Sequence, residues 1–292
     1  MKPIIKYRGG KSKEIPQIIQ YIPQFEGRYI EPFFGGGAMF FHIEPNNAII
    51  SDINVRLMNF YRSVQQNFMQ LSVELAELEN IYTNNRLEFD MLKKLHPENR
   101  IPDGNEALYY QLRNMYNGLI PSTYSDATLY YFINKTAYSG MLRFNAKGEY
   151  NVPYGRYKNF NTRIITEAHH TLLVNTEIHN GDYRDIFNLA NPNDFVFLDP
   201  PYDCIFSDYG NLEYHDGFNE ESHRQLAEDF YNLGCRALMV IGDTPLIRDL
   251  YGNNIIAEYD KNYSVNIRNR FQAEATHLIL SLIHISEPTR PY

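Results

Sequence analysis

Apolar residues along this chain fall into two kinds of stretch. Some form short runs closed by glycine, proline or an acid, which read as buried strands; others recur at helical spacing. Residues 1 to about 60 give loop, helix, strand, glycine loop, helix and strand. Within them Tyr29-Ile30-Glu31-Pro32-Phe33 leads through Phe34-Gly35-Gly36-Gly37 into Ala38-Met39-Phe40-Phe41, and Ala48-Ile49-Ile50 closes on Ser51-Asp52. From about 61 to 165 the pattern changes. Helical periodicity comes first, then a tyrosine-rich run (Tyr109, Tyr110, Tyr116, Tyr124, Tyr130, Tyr131, Tyr138), then turn signals at Ser139-Gly140 and Lys147-Gly148. From about 166 strand–helix alternation returns and includes the run Phe195-Val196-Phe197-Leu198. The interrupted alternation predicts an α/β fold in which 1–60 and 166–280 build one discontinuous domain and 61–165 is inserted into it. Residues 281–292 continue no pattern and are set aside as a non-native tail.

The strand Phe195–Leu198 runs into Asp199-Pro200-Pro201-Tyr202. Two prolines end a strand, because neither can donate to a ladder and each restricts the residue before it. A carboxylate, a carbonyl freed from sheet pairing and an aromatic ring are then left together at a carboxyl strand end, where open α/β sheets bind ligands. A planar amine fits this set: Asp199 and the Pro200 carbonyl accept its two hydrogens, and Tyr202 covers its ring. A plain strand-to-loop turn with a buried tyrosine is the bland alternative, and four such residues at one strand end weigh against it. The glycine turn at Gly35–Gly37 lets backbone approach a ligand, and Asp52 at the next strand end can hold the two hydroxyls of a ribose. The turn departs from dinucleotide-fingerprint spacing, and an NAD enzyme has no use for the Asp199 set. S-adenosylmethionine, a nucleoside without phosphates, suits both halves.

Composition narrows the partners. The 292 residues are 43% hydrophobic, enough for a substantial core, but no stretch is long and apolar enough to span a membrane. No apolar run follows the basic N-terminus, so no secretory signal is expected. Cys204 and Cys235 are the only cysteines, which points to a reduced, cytoplasmic setting without a cysteine-based zinc site. The histidines lack metal-ligand spacing, so no metal is expected. A net charge of −8 argues against a generic nucleic-acid binder, yet the positive charge is gathered. Lys2, Lys6, Arg8, Lys11 and Lys13 precede the first acid, Glu14; Lys135, Arg143, Lys147, Arg156, Lys158 and Arg163 are interrupted only by Glu149. Such basic stretches in an acidic chain suit a binding groove.

Taken in order, Lys6-Tyr7-Arg8-Gly9-Gly10-Lys11, Glu31-Pro32-Phe33-Phe34-Gly35-Gly36-Gly37, Ser51-Asp52-Ile53-Asn54, a long insert and Asp199-Pro200-Pro201-Tyr202 closely resemble the Dam-type, D12-class (alpha group) adenine-N6 DNA methyltransferases. The segment Phe218–Ala227 resembles the family's helix after the catalytic loop, and the likeness extends over about residues 4 to 280. The resemblance implies a Rossmann-like methyltransferase sheet with a mostly helical target-recognition insert carrying a β-hairpin. It implies S-adenosylmethionine as cofactor and double-stranded DNA as partner, with no obligate protein partner. By position, Asp199, Pro200, Pro201 and Tyr202 would be catalytic. Tyr7, Lys11, Glu31, Phe33, Gly35, Asp52, Asp182 and Tyr183, with Asp199, would face the cofactor.

Tyr138 to Asn145 and Glu149 to Tyr157 resemble the family's DNA-reading hairpin. Arg143 would fork onto a guanine, Tyr138 would wedge or stack where the base leaves, and Met141 and Pro153 would touch a thymine methyl. Lys6, Ser139 and Tyr157 complete the implied DNA contacts, with Ser139 standing where close relatives often carry asparagine. The reaction so implied is direct methyl transfer to the N6 of an adenine flipped out of duplex DNA, and a GATC-like target is compatible with it. Rival readings are an RNA adenine or cytosine-N4 methyltransferase and a catalytically silent DNA-binding module; the insert weighs against the former and the intact Asp199–Tyr202 set against the latter.

Overall fold

A computed structural model of the chain describes residues 1–7, 9–202, 218–262 and 274–282. These form two compact units, one from residues 11–53, 176–202, 218–262 and 274–282, the other from residues 1–7, 9–10 and 54–175. Among the described residues, no helix is long and apolar enough to cross a membrane.

The first unit is built on a mixed sheet of β1 (Tyr29–Glu31), β2 (Ala48–Ile50), β3 (Thr176–Ile178), β4 (Phe195–Leu198), β5 (Arg236–Gly242), β6 (Ile255–Asn262) and β7 (Glu274–Ser281), in the order β3-β2-β1-β4-β5-β7-β6. From β3 through β5 the pairing is parallel, and β7 runs antiparallel between β5 and β6. Every residue of β1, β2 and β4 is buried. This is why these strands read as unbroken apolar runs rather than alternations. Flanking helices supply the cover: Leu226 and Phe230 of helix Glu220–Tyr231 pack with Val196, Met239 and Ile241 of the sheet, and Asn219 caps that helix by accepting the Ser222 amide. The result is the Rossmann-like α/β architecture expected. Strand order reverses between β1 and β4, so their carboxyl ends flank the crevice where such sheets bind ligands.

Ser281 and Leu282, set with the tail on sequence, belong to the sheet. Ser281 pairs with Leu238, the Leu282 amide donates to the Ala237 carbonyl, and Leu282 is buried in the core. One apolar residue directly after a strand is too short a signal to separate from a tail. Residues 283–292 lie outside the described residues, as do Arg8 and Cys204.

The second unit is mainly helical: Val55–Gln66, Phe68–Leu95, Gly104–Tyr116, Asp126–Thr136 and Glu167–Val174. Several of its tyrosines are core rather than surface. Tyr82, Tyr109, Tyr131 and Tyr150 are buried, and each hydroxyl has a partner. Tyr82 Oη lies 2.6 Å from Tyr154 Oη, while Tyr109, Tyr131 and Tyr150 donate to the carbonyls of Val152, Asn161 and Met141. Burial pushes all four hydroxyls above their ordinary pKa, so they stay neutral donors. A tyrosine gives such a core ring-sized apolar bulk and a polar tip that ties down loop backbone.

Candidate active site

Asp199 emerges at the carboxyl end of β4, where Pro200 and Pro201 stop the strand. Its Oδ1 accepts a hydrogen bond from Lys11 Nζ at 2.6 Å, with side-chain exposures of 21% for the aspartate and 4% for the lysine. Lys11 begins the short 3-10 turn Lys11–Lys13, and its ammonium also sits over the Tyr202 ring, 4.8 Å from the centroid. Burial raises the Asp199 carboxyl above its ordinary value, and the Lys11 charge works against that rise. The site therefore combines a half-buried acceptor, a cation bound to it and an aromatic face at one strand end.

The neighbouring strand end carries the glycine turn. Gly35 and Gly37 have φ of 48° and 63°, the left-handed region in which a side chain is strained. A Cβ on Gly37 would lie 2.4 Å from the Phe34 ring. At the end of β2, Asp52 is buried and its Oδ2 accepts the Gly35 amide at 2.9 Å, which ties the acid to the turn. Glu31, at the end of β1, is buried with Oε2 accepting the Tyr29 hydroxyl at 2.7 Å; burial first, then the charges of Asp199 and Asp52, push its carboxyl well above the ordinary range. Phe33 packs on Tyr183 at 5.3 Å and edge-on to Phe218 at 6.2 Å. The Tyr183 hydroxyl donates to Asp229 at 2.6 Å. Asp182 caps helix Tyr183–Phe187 and grips Arg184 through both oxygens, which holds its carboxyl low. A side-chain-free turn, a buried acid at its back and a half-buried aromatic face are a donor set that suits a nucleoside.

Among the residues expected to meet DNA, all lie in the other unit. The stretch from Ala137 to Tyr154 doubles back through two isolated antiparallel bridges, Ala137 with Tyr154 and Phe144 with Tyr150. Tyr138 is 55% exposed, and its amide donates to the Pro153 carbonyl. Ser139 is exposed at φ 54°, Met141 is half-buried and Pro153 exposed. Arg143 is exposed, with Nε donating to Asn151 Oδ1 at 2.8 Å and Nη2 to the Asn151 carbonyl at 3.2 Å, so the plane of its guanidinium is fixed from behind. Lys6 sits 3.9 Å above the Tyr157 ring and donates to the Lys135 carbonyl. Tyr7 belongs to this unit too, its carbonyl accepting the Gly10 amide.

Residues 7–265 match the family model described as D12 class N6 adenine-specific DNA methyltransferase. The chain belongs to that class. It is 36% identical over 288 residues to the Type II methyltransferase M.CviBI of Paramecium bursaria Chlorella virus NC1A, covering 96% of this chain and 99% of that one. It is 33% identical to M.MjaIII of Methanocaldococcus jannaschii, another Type II methyltransferase, over 86% of this chain and 87% of that one. With the DNA adenine methylase of Salmonella typhi it shares 29% identity over 86% of this chain and 84% of that one.

Beside the Asp199 set this D12-class methyltransferase holds a buried cluster that sequence reading missed. Glu14 Oε2 is 2.7 Å from both Tyr259 Oη and His277 Nδ1, and Oε1 is 2.6 Å from Lys261 Nζ. The His277 ring lies edge-on to Tyr202, centroids 4.9 Å apart. Tyr259 and His277 are register partners across β6 and β7. Their distance in sequence from Glu14 left no local signal; only the place of Glu14 one turn after Lys11 hinted that the two act together.

Proposed function

We propose that this D12-class enzyme methylates the N6 of an adenine extruded from double-stranded DNA, with S-adenosylmethionine as methyl donor and Asp199 and the Pro200 carbonyl as acceptors for the reacting amine. The observation that carries this reading is the Lys11–Asp199 contact: a half-buried carboxylate at the end of β4 already takes an N–H donor at 2.6 Å beside an aromatic ring. An adenine amine needs the same acceptor. Its nitrogen lone pair is delocalised into the ring, so it is a poor nucleophile; accepting both of its hydrogens favours a pyramidal nitrogen with the lone pair released for attack. Tyr202 stacks on the extruded base, and Pro201 keeps the backbone after Pro200 out of the sheet. Lys11 then shifts its donor bond away from Asp199 as the amine arrives.

The cofactor supplies an electrophilic methyl group. Phe33 and Tyr183 offer the adenine face, Gly35 the close backbone approach and Asp52 the ribose acceptor, with Glu31, Asp182, Lys11 and Tyr7 lining the remainder. In the other unit Arg143 reads a guanine, Tyr138 wedges beside the extruded base, Met141 and Pro153 meet a thymine methyl, and Lys6, Ser139 and Tyr157 hold the duplex. A GATC-like target is the specificity to test first, and adenine-specific transfer in the cytoplasm is the expected setting.

Asp199→Ala should lower methyl transfer to unmethylated plasmid DNA by roughly 10²-fold or more, the effect of losing a preorganised partner of the reacting group, with thermal unfolding unchanged in cooperativity. Near-normal turnover by the folded variant would remove the assigned mechanism. Base-modification sequencing of DNA from cells expressing the protein reads out both the methylated base and its context; methyl on a cytosine amine would redirect the substrate assignment.

A further inference from the structure

The cluster at Glu14 is buried, charged and joined to the site, yet methyl transfer as derived above gives it no task. Glu14 is 5% and His277 0% exposed. A carboxylate can only accept, so the 2.7 Å contact requires a proton on His277 Nδ1, donating to Glu14 Oε2. That bond fixes the plane of the ring. The ring then forms one wall for Tyr202, edge-on at 88°, while Gly242 forms another: a Cβ there would lie 3.2 Å from the Tyr202 ring. Gly242 and His277 are themselves register partners on β5 and β7, so both walls come from one rung of the sheet. From the opposite direction, the Glu14 amide donates to the Lys11 carbonyl at 2.7 Å, closing the turn that carries the Lys11 ammonium to Asp199.

Glu14 is thus the point at which two supports meet, one running through His277 to Tyr202 and one through the 3-10 turn to Lys11. Tyr259 donates to Oε2 beside His277, and the Lys261 ammonium forms an ion pair with Oε1. We propose that Glu14 and His277 are a pair of positioning residues that set the plane of Tyr202 and the placement of Lys11 for methyl transfer. The inference rests on the reading of Asp199 and Tyr202 given above. Neither residue touches the amine or the cofactor in this scheme; they act through Tyr202 and Lys11, as supporting partners fix the orientation of reacting groups elsewhere.

The test is a double-mutant cycle on kcat and on cofactor affinity. His277→Phe keeps a ring beside Tyr202 but cannot donate to Glu14, and Glu14→Gln keeps the shape of the carboxylate without its charge. Each should lower kcat for methylation of unmethylated plasmid DNA by about tenfold or more, since small misplacements of reacting groups are costly. Calorimetric affinity for S-adenosylmethionine should stay within about twofold in His277→Phe, which acts through Tyr202, and the double variant should be no slower than the worse single, as for residues acting as a unit. His277→Asn, which restores a donor near the Nδ1 position, should recover part of the loss seen in His277→Ala. Wild-type kcat in folded His277→Phe, or strictly additive losses in the cycle, would overturn the proposal, and if His277→Phe fails to fold then wild-type kcat in Glu14→Gln would do the same. Asp199→Ala measured alongside keeps the two claims apart. If it is inactive while His277→Phe is fully active, only the positioning role falls; if it is active, the underlying mechanism falls.

Discussion

Asp199 meets opposing demands. In the proposed role the ionised carboxylate is the better acceptor for an N6 hydrogen, yet burial raises its pKa, and the Lys11 ammonium is the largest of the charges that pull the other way. A carboxyl with a raised pKa is protonated over more of the acid range, so the acid limb of kcat/KM, which reports ionisations of the free enzyme, should lie above the range of an ordinary aspartate. Lys11→Met removes the opposing charge. The limb should then move to still higher pH, independent of how far the plateau falls through other roles of Lys11. A pH–rate profile of kcat/KM for both proteins checks this, and a limb that stays in place or moves to lower pH would show that Lys11 does not govern the ionisation of Asp199.

The glycine turn after β1 is the element on which the cofactor reading depends. Gly37 starts helix Ala38–Ile43 in the left-handed region, and a methyl there would press on Phe34, which is itself wedged against Phe40 and Phe41. Gly37→Ala should therefore cost about 1–3 kcal/mol in stability from backbone strain and overpacking, measured by urea unfolding, and should weaken S-adenosylmethionine binding through the displaced turn. Unchanged affinity in a folded variant would separate the turn from the cofactor. This element was legible in the sequence because everything it needs is contiguous: apolar strand, glycines, helix. The same holds for β4 with Asp199–Tyr202 and for β2 with Asp52. What was not legible depends on pairing. The walls around Tyr202 come from β5 and β7, antiparallel partners whose register no local pattern states, and Glu14 and His277 stand 263 positions apart. The tyrosine run read as a distinct segment, but its hydroxyls find their partners only once the helices are packed. Leu282 looked like tail because one buried leucine after a strand has no period of its own.

At the scale of the whole molecule, an acidic protein of net charge −8 has to hold a polyanion with locally gathered cations. Among them a contact that reads a base must be told apart from one that merely neutralises a phosphate. Arg143 is the sharpest instance. It is exposed, and Asn151 holds Nε and Nη2 so that the guanidinium is presented in one plane rather than sweeping through many rotamers. A guanidinium held in one plane can fork onto guanine O6 and N7 or onto a phosphate, and the two differ in what a variant loses. If Arg143 reads guanine, Arg143→Ala should cost about 1–3 kcal/mol at one base pair and relax preference at that position alone. A phosphate contact would instead weaken all sequences alike and lower the slope of log K against log salt by about 1. Methylation rates on duplexes that differ from the target by single base pairs, taken for both proteins at two salt concentrations, separate these outcomes. A uniform loss with unchanged base preference would assign Arg143 to the backbone and move the search for the specificity determinant to Tyr138, Met141 and Pro153, while the chemistry assigned to Asp199 would stand.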